Sequence, residues 1–344
     1  MRGDVGKRDE VDMKILYEPE KQMQISMFDG SKPFKITKPI RLITLFSGYD
    51  SQALSLKYLG IPFEHYKTSE WAIKSIQALK DLHFSSDNTD YSGNMTVAEV
   101  KAWLSGRISS DYSTPLNNKQ IERLSEKEAR KIYNNMRASH NLGSIMTING
   151  NDLQVVDTDK FTYVLTYSFP CQDLSSAGKG AGMEKGSGTR SGLLWEVERL
   201  LDECEELPQV LLMENVPEVI GSKNIKHFAK WIEKLESLGY KNKWQCLNAK
   251  DFEIPQNRDR CFMVSILGDY YYDFPKTIPL TLRLKDMLED NVDESFYLSE
   301  RAVKGIENTS FSSAKLENRT DKGGVCPTLM ARDYKDPKLV VENE

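Results

Sequence analysis

The stretch Tyr163–Leu174, YVLTYSFPCQDL, decides how this chain of 344 residues is read. Its apolar, β-branched and aromatic run from Tyr163 to Tyr167 is that of a buried strand. The run ends at Pro170 and Cys171 follows at once. A thiol therefore stands at the carboxyl end of a strand, where open α/β sheets hold their ligands. Pro170 fixes its own φ and restricts Phe169, so the thiol has a stiff support. A free cysteine is more often a small buried hydrophobe. The polar, glycine-rich sequence behind Cys171, and three segments further along, point to a working thiol instead.

Upstream, Arg41–Phe46 reads as a strand running into Ser47-Gly48-Tyr49-Asp50-Ser51 and a helix, Gln52–Leu59, that stops at Gly60. Strand, glycine turn and helix form the opening unit of a nucleotide-binding α/β fold, a weak signal when only one glycine is present. A second strand, Ile61–Thr68, ends in Ser69-Glu70-Trp71. An acid about twenty positions past the glycine turn suits ribose hydroxyls; a carboxylate beside a helix start is the alternative. After a helix to about Leu82 comes a polar span from Ser85 to about Gly143. It carries helical patterns at Val97–Leu104 and Asn118–Leu142 and reads as an insertion on the rim of the sheet. A strand is expected at Ser144–Asn149, with Asp152 in another strand-to-helix turn.

Downstream of Cys171, residues 175–192 are dense in glycine and lead into an amphipathic helix, Leu193–Leu201. The segment reads as a lid over the thiol. Pro208–Met213 is a strand ending in Glu214-Asn215-Val216-Pro217, which pairs an acid with the nucleophile at one sheet edge. A helix, Lys226–Leu238, and a strand, Lys243–Leu247, follow. In Asp251–Arg260, DFEIPQNRDR, Arg258 and Arg260 are spaced to share a face of an extended segment; a solvated charge pair is the plain alternative. Cys261–Leu267 is a further strand. Beyond Gly268 the strand–helix alternation ceases. Lys322–Lys338 mixes basic, aromatic and turn residues suited to a polyanion.

Composition sets the frame. Hydrophobic residues make up 39% and charged residues 28%, as in a soluble globular protein. No apolar run spans a bilayer and the N-terminus is no signal peptide, so no membrane partner is expected. The five cysteines have no CxxC pair, which implies reduced thiols, no metal site and a cytoplasmic location. A net charge of -5 leaves room for a local basic face on nucleic acid.

Five segments in this order resemble the DNA cytosine-5 methyltransferase family: Phe46-x-Gly48, Ser69-Glu-Trp71, Phe169-Pro-Cys-Gln172, Glu214-Asn-Val216 and Gln256-Asn-Arg-Asp-Arg260. The last three together are highly specific. The resemblance covers about Ile40 to Leu267 apart from the insertion. It implies an α/β fold of the S-adenosylmethionine (SAM)-dependent, Rossmann-like kind, with a mostly parallel seven-stranded sheet and helices on both faces. The implied organisation is an N-terminal arm at 1–39, a catalytic domain at 40–267 with the insertion at about 85–143, and a partial target-recognition region at 268–344. By the resemblance, Cys171 adds to C6 of a cytosine in double-stranded DNA. Glu214 meets the N3/N4 edge, Arg258 and Arg260 steady thiolate and base, and Asn215 holds the Pro-Cys loop. Phe46 and Trp71 flank the adenine of SAM, Glu70 takes its ribose and Asp152 its amino group. Leu193, Pro170 and the backbone at Gly48 complete the pocket, and S-adenosylhomocysteine is the product. A restriction-modification role belongs to the same family picture.

The chain departs from the family pattern in three places. Asp50 stands where a second glycine is usual, and Ser168 where a glycine commonly precedes Phe-Pro-Cys. The arginine-containing recognition segment and the closing Gly-Asn-Ser segment are not found. The expectation is a truncated product, or one subunit whose partner chain supplies them. Two other functions remain: an RNA (tRNA) cytosine-5 methyltransferase, and a catalytically silent DNA-binding module.

Overall fold

A computed structural model describes residues 32–174, 182–301, 304, 319–321, 323–329 and 339–341. The chain divides into two compact units, residues 1–245 with 261–273, and residues 246–260 with 274–344. Residues 246–260, placed in the catalytic domain from sequence, thus group with the second unit.

The first unit is built on a sheet of strands β1 (Ile40–Leu45), β2 (Phe63–Ser69), β3 (Thr162–Tyr167), β4 (Val210–Asn215), β5 (Tyr240–Asn248) and β6 (Asp259–Leu267), of which residues 246–248 and 259–260 are counted with the second unit. Their order is β2-β1-β3-β4-β6-β5. β1 pairs in parallel with β2 and β3, and β3 with β4, whereas β6 runs antiparallel to β4. The inner strands β1 and β3 are buried along nearly their whole length, which is why they read as unbroken apolar runs rather than alternating ones. Helices α1 (Ser51–Tyr58), α2 (Ile73–His83), α6 (Leu194–Glu203) and α7 (Ile225–Ser237) lie between the strands in the chain.

Six strands form this sheet among the described residues, one fewer than expected. Outside β2 the pairing shrinks to a single parallel bridge, Thr68 to Asn141. The backbone there turns through positive φ at His140 (50°) and Gly143 (88°), so the chain does not extend. The strand expected at Ser144–Asn149 is likewise a 3-10 turn, Ile145–Thr147. The Ser144 hydroxyl accepts from the Met146 amide at 3.3 Å and starts it. Ile145 and Ile148, three residues apart as suits a 3-10 turn rather than a strand, are both buried.

The insertion is a small helical body. Its helices α3 (Val97–Leu104), α4 (Asn118–Arg123) and α5 (Glu126–Ala138) each begin with a reciprocal capping box, Thr96/Glu99, Asn117/Gln120 and Ser125/Glu128. Each cap is worth about 1 kcal/mol. The Ser125 box breaks what reads in the sequence as one helix from Asn118 to Leu142. Val100, Leu104, Ile121, Ile132 and Met136 close on Ile76 of α2 to make a core separate from that of the sheet.

The main core holds the strand that carries Cys171. Leu194, Val197, Leu200 and Leu201 form one stripe on α6, and Phe228, Trp231, Ile232 and Leu235 one on α7. The Trp231 indole N–H donates to the Tyr167 hydroxyl at 3.0 Å, both side chains being fully buried. This fixes the last residue of β3.

Residues 1–31, most of the expected N-terminal arm, lie outside the described residues. Lys32–Pro33 pairs with Tyr270–Tyr271. In the second unit Gln256–Asn257 pairs with Cys326–Pro327, and Arg319–Asp321 with Leu339–Val341. Lys322 and residues 330–338 of the expected polyanion segment lie outside the description. Among the described residues no helix is long and apolar enough to cross a membrane.

Candidate active site

The strand order reverses between β1 and β3, since β1 is followed outward by β2 and β3 by β4. At such a switch point the two strand ends splay and leave a crevice. The registers say what borders it. Leu45 pairs with both Ser69 and Tyr167, and Tyr167 pairs with Met213. The next residues along, Phe46, Glu70, Ser168 and Glu214, therefore form one row at the carboxyl edge. A cavity of about 1100 Å³ opens there, lined by Phe46, Glu70, Trp71, Pro170 and Leu193 among others. Ser168 and Gln172, on either side of the Phe-Pro-Cys turn, also face it.

Glu70 is the buried charge of this cavity. One carboxylate oxygen accepts from the Gly48 amide at 2.8 Å, the other from the Ala72 amide at 2.7 Å. Burial pushes its pKa up, while the amides of Ala72 and Gly48 pull it down; the net direction is up. Gly48 has φ +56°, which a side chain adopts only with strain. Its role is structural at this point: its amide reaches Glu70, and it is not among the lining residues.

Asp50, where the family has glycine, also lies in the left-handed region, at φ 58° and ψ 66°. Its side chain turns inward and is fully buried. One oxygen caps α1 by accepting from the Ala53 amide at 3.1 Å, and the other lies 2.6 Å from His65 Nε2. The carboxylate is spent on helix and strand rather than on the cavity. Asp tolerates this backbone region better than most side chains.

The loop of Cys171 is held by three groups. The Asn215 side-chain amide donates to the Phe169 carbonyl at 3.0 Å. The Ser191 hydroxyl donates to the Pro170 carbonyl at 2.7 Å. The Asp173 carboxylate accepts from the amides of Arg190 and Ser191 at 2.8 and 3.3 Å, and the Asp173 carbonyl accepts from the Gly182 amide at 3.1 Å. Cys171 is half-buried, as is Glu214 on β4. Of the lid expected at 175–192, residues 175–181 lie outside the description. The remainder, 182–192, is folded back by Asp173 and by the Trp195 indole, which donates to the Met183 carbonyl at 2.8 Å.

Asp152 does not line the cavity; its carboxylate accepts from the Asn149 amide at 2.9 Å in a capping box. Gly143, Ser144 and Ile145 form the wall instead. Gly143 admits no side chain, because a Cβ there would stand 2.8 Å from that of Arg107. The buried Asn141 ties this wall to Glu70. Its oxygen accepts from the amides of Glu70 (3.0 Å) and Gly143 (2.8 Å), and its amide donates to the Glu70 carbonyl (3.0 Å). Asn141, Gly143, Ser191 and Asp173 escape sequence reading because their partners are distant in the chain.

Arg258 and Arg260 belong to the second unit. There the Arg258 amide donates to the Asn248 side chain at 3.1 Å, and its carbonyl accepts from the Ala249 amide at 3.1 Å. An Arg260 guanidinium nitrogen donates to the Asp259 carbonyl at 2.6 Å.

Comparison with known proteins agrees with this geometry. Residues 118–338 match the family model for C-5 cytosine-specific DNA methylase. The type II methyltransferase M2.ScrFI of Lactococcus lactis subsp. cremoris is 38% identical over 77% of the chain and 71% of its own length. The orphan methyltransferase M.SssI of Spiroplasma monobiae is 37% identical over 78% of the chain and 70% of its own length. The crystal structure of S. pombe Dnmt2 methyltransferase shares the fold, with a TM-score of 0.54 at 16% identity over 88% of this chain and 74% of that one. The chain belongs to the C-5 cytosine-specific DNA methylase family and is an enzyme of the DNA (cytosine-5-)-methyltransferase class, EC 2.1.1.37.

Proposed function

We propose that the chain transfers a methyl group from SAM to C5 of cytosine in double-stranded DNA through a transient bond between Cys171 and C6. The observation that carries this reading is the row of strand ends that sets Phe46, Glu70, Ser168 and Glu214 side by side at one edge, with Cys171 on a loop pinned from two sides. The cavity fits SAM in size and character. Its buried carboxylate suits vicinal hydroxyls, and Phe46 and Trp71 are aromatic lining residues of the kind that pack on a purine. When bound, SAM supplies an electrophilic methyl on a sulfonium and leaves as the neutral thioether.

The rest of the step falls to the protein. C5 of cytosine is a weak nucleophile. The Cys171 thiolate adds to C6, forming a C–S bond, and the displaced electron pair makes C5 able to attack the methyl group. Glu214, as the acid, protonates or hydrogen-bonds N3 and so relieves the charge that builds on the ring. After transfer, loss of the C5 proton to a base returns electrons to the ring and expels the thiolate. Asn215 and Ser191 hold the carbonyls of Phe169 and Pro170, the two peptide groups just before Cys171, so the sulfur starts near its place of attack. By family resemblance, Arg258 and Arg260 favour the thiolate and bind the base. The target atom is stacked inside duplex DNA, so the nucleotide swings out, at a cost of a few kcal/mol.

Transfer of labelled methyl groups tests this. Duplex DNA accepts label at C5 of cytosine, tRNA does not, and Cys171→Ser abolishes transfer. Labelling of tRNA but not DNA, or full activity of Cys171→Ser, overturns it.

A further inference from the structure

The cavity has a wall that none of the expected site residues accounts for. Tyr112, Ser113 and Pro115 line it alongside Glu70 and Trp71. All three come from the insertion, from the loop between α3 and α4. That loop is hydrogen-bonded to the strand-end segment itself. The Ser109 amide donates to the Trp71 carbonyl at 2.7 Å, and the Ser109 carbonyl accepts from the Ile73 amide at 3.0 Å.

The loop is a stiff turn. The Asp111 carboxylate accepts from the amides of Ser113 (2.8 Å) and Thr114 (2.9 Å), from the Thr114 hydroxyl (3.2 Å) and from the Ser109 hydroxyl (3.1 Å). These bonds hold Tyr112 at φ 60°, in the left-handed region that a bulky residue enters only at a cost. Yet Tyr112 is 48% exposed, so no core packing explains the strain. Its hydroxyl lies 3.4 Å from that of Ser75 on α2. From the opposite bank, Arg190 Nη1 reaches the Ser113 hydroxyl at 3.4 Å. Arg190 adjoins Ser191, which holds the carbonyl before Cys171.

Resting on the cofactor reading above, we propose that the Asp111–Pro115 turn of the insertion is a built wall of the SAM site: Tyr112 covers the adenosine end, and Ser113 links this wall to the Cys171 loop through Arg190. The insertion then serves cofactor retention. An aromatic ring held half-exposed at a cavity mouth by a rigid turn loses little freedom when a purine stacks on it.

The test is binding of S-adenosylhomocysteine and SAM to the intact chain by calorimetry, with KM for SAM and for DNA measured separately. Tyr112→Ala weakens both cofactors about ten-fold and raises KM for SAM with KM for DNA unchanged, whereas Tyr112→Phe binds like the parent. Asp111→Ala, which loosens the turn without touching the cavity, weakens them in the same direction in a chain that circular dichroism shows still folded. Parent-like binding by both Tyr112→Ala and Asp111→Ala overturns the proposal and leaves the cofactor reading intact. A parent chain that binds neither compound overturns both.

Discussion

The Asn215 side-chain amide lies 3.0 Å from the Phe169 carbonyl, joining the end of one strand to the turn that carries the thiol of the next. Asn215 is 2% exposed, so water does not replace the bond if it is lost. Asn215→Ala orphans a carbonyl, at about 1–3 kcal/mol. It also frees the Cys171 loop. Urea unfolding reads the first effect and single-turnover methyl transfer the second. We expect a lower midpoint and a fall in the transfer rate of ten-fold or more, with SAM binding nearly unchanged, on the order of what a lost positioning contact costs.

Glu70 gives a pH dependence with a definite sign. Burial raises its pKa above that of an ordinary carboxylate. Between the unfolded and the raised folded value, the folded state holds more protons than the unfolded one. Its contribution to stability is therefore full below the unfolded pKa and falls as pH rises through the folded pKa. Cofactor binding runs the other way, because hydroxyl groups need the ionised acceptor. SAM affinity measured against pH drops on acidification at a higher pH than a solvent-exposed carboxylate would give. Glu70→Gln binds weakly throughout and shows no such drop.

Asp50 makes an unusual ordering of substitutions. Ala at this position loses the cap, worth about 0.5–2 kcal/mol, and strains a left-handed backbone by about 1–2 kcal/mol. Gly also loses the bond to His65 but relieves the strain, and as a cap it gives up only a few tenths of a kcal/mol. Thermal unfolding is therefore expected to rank Asp50→Gly above Asp50→Ala, although glycine removes more atoms.

The pair Trp231–Tyr167 sets the base of the Cys171 strand. Trp231→Phe leaves a fully buried hydroxyl without its donor, at about 1–3 kcal/mol on top of the lost packing. Tyr167→Phe in the same background recovers part of that loss. A double-mutant cycle by denaturant unfolding measures the coupling.

Thiol chemistry separates the cysteines. Burial pushes the Cys204 thiol up to about 11, and Cys261 is fully buried. At pH 8 iodoacetamide modifies neither while the protein is folded, and exposed Cys246 reacts ahead of both. Peptide mapping after brief alkylation checks the order.

Much of this architecture can be read along the chain, because the inner strands are apolar runs that end in chemistry. Phe46, Glu70, Pro170 and Leu193 are all found in the cavity wall. What sequence does not show is held by partners far away. Asp152 looks like a strand-end acid, but its carboxylate closes its own capping box, and the wall it was expected to form belongs to Gly143–Ile145. Ser191 carries no local signal, since its hydroxyl bonds a carbonyl 21 residues back. Tyr112 sits in a span that composition marks only as polar, and its place beside Trp71 depends on how Ser109 bonds to the strand-end backbone.

The central claim is a bond between one sulfur and one ring carbon. Duplex DNA carrying 5-fluorocytosine, incubated with the chain and SAM, reports it directly, because fluorine at C5 blocks the release step. A denaturant-resistant complex whose peptide map places the nucleotide on Cys171, absent with Cys171→Ser, is the predicted result. Methylation of ordinary duplex DNA with no adduct on the fluorinated strand, or an adduct at another residue, contradicts the account.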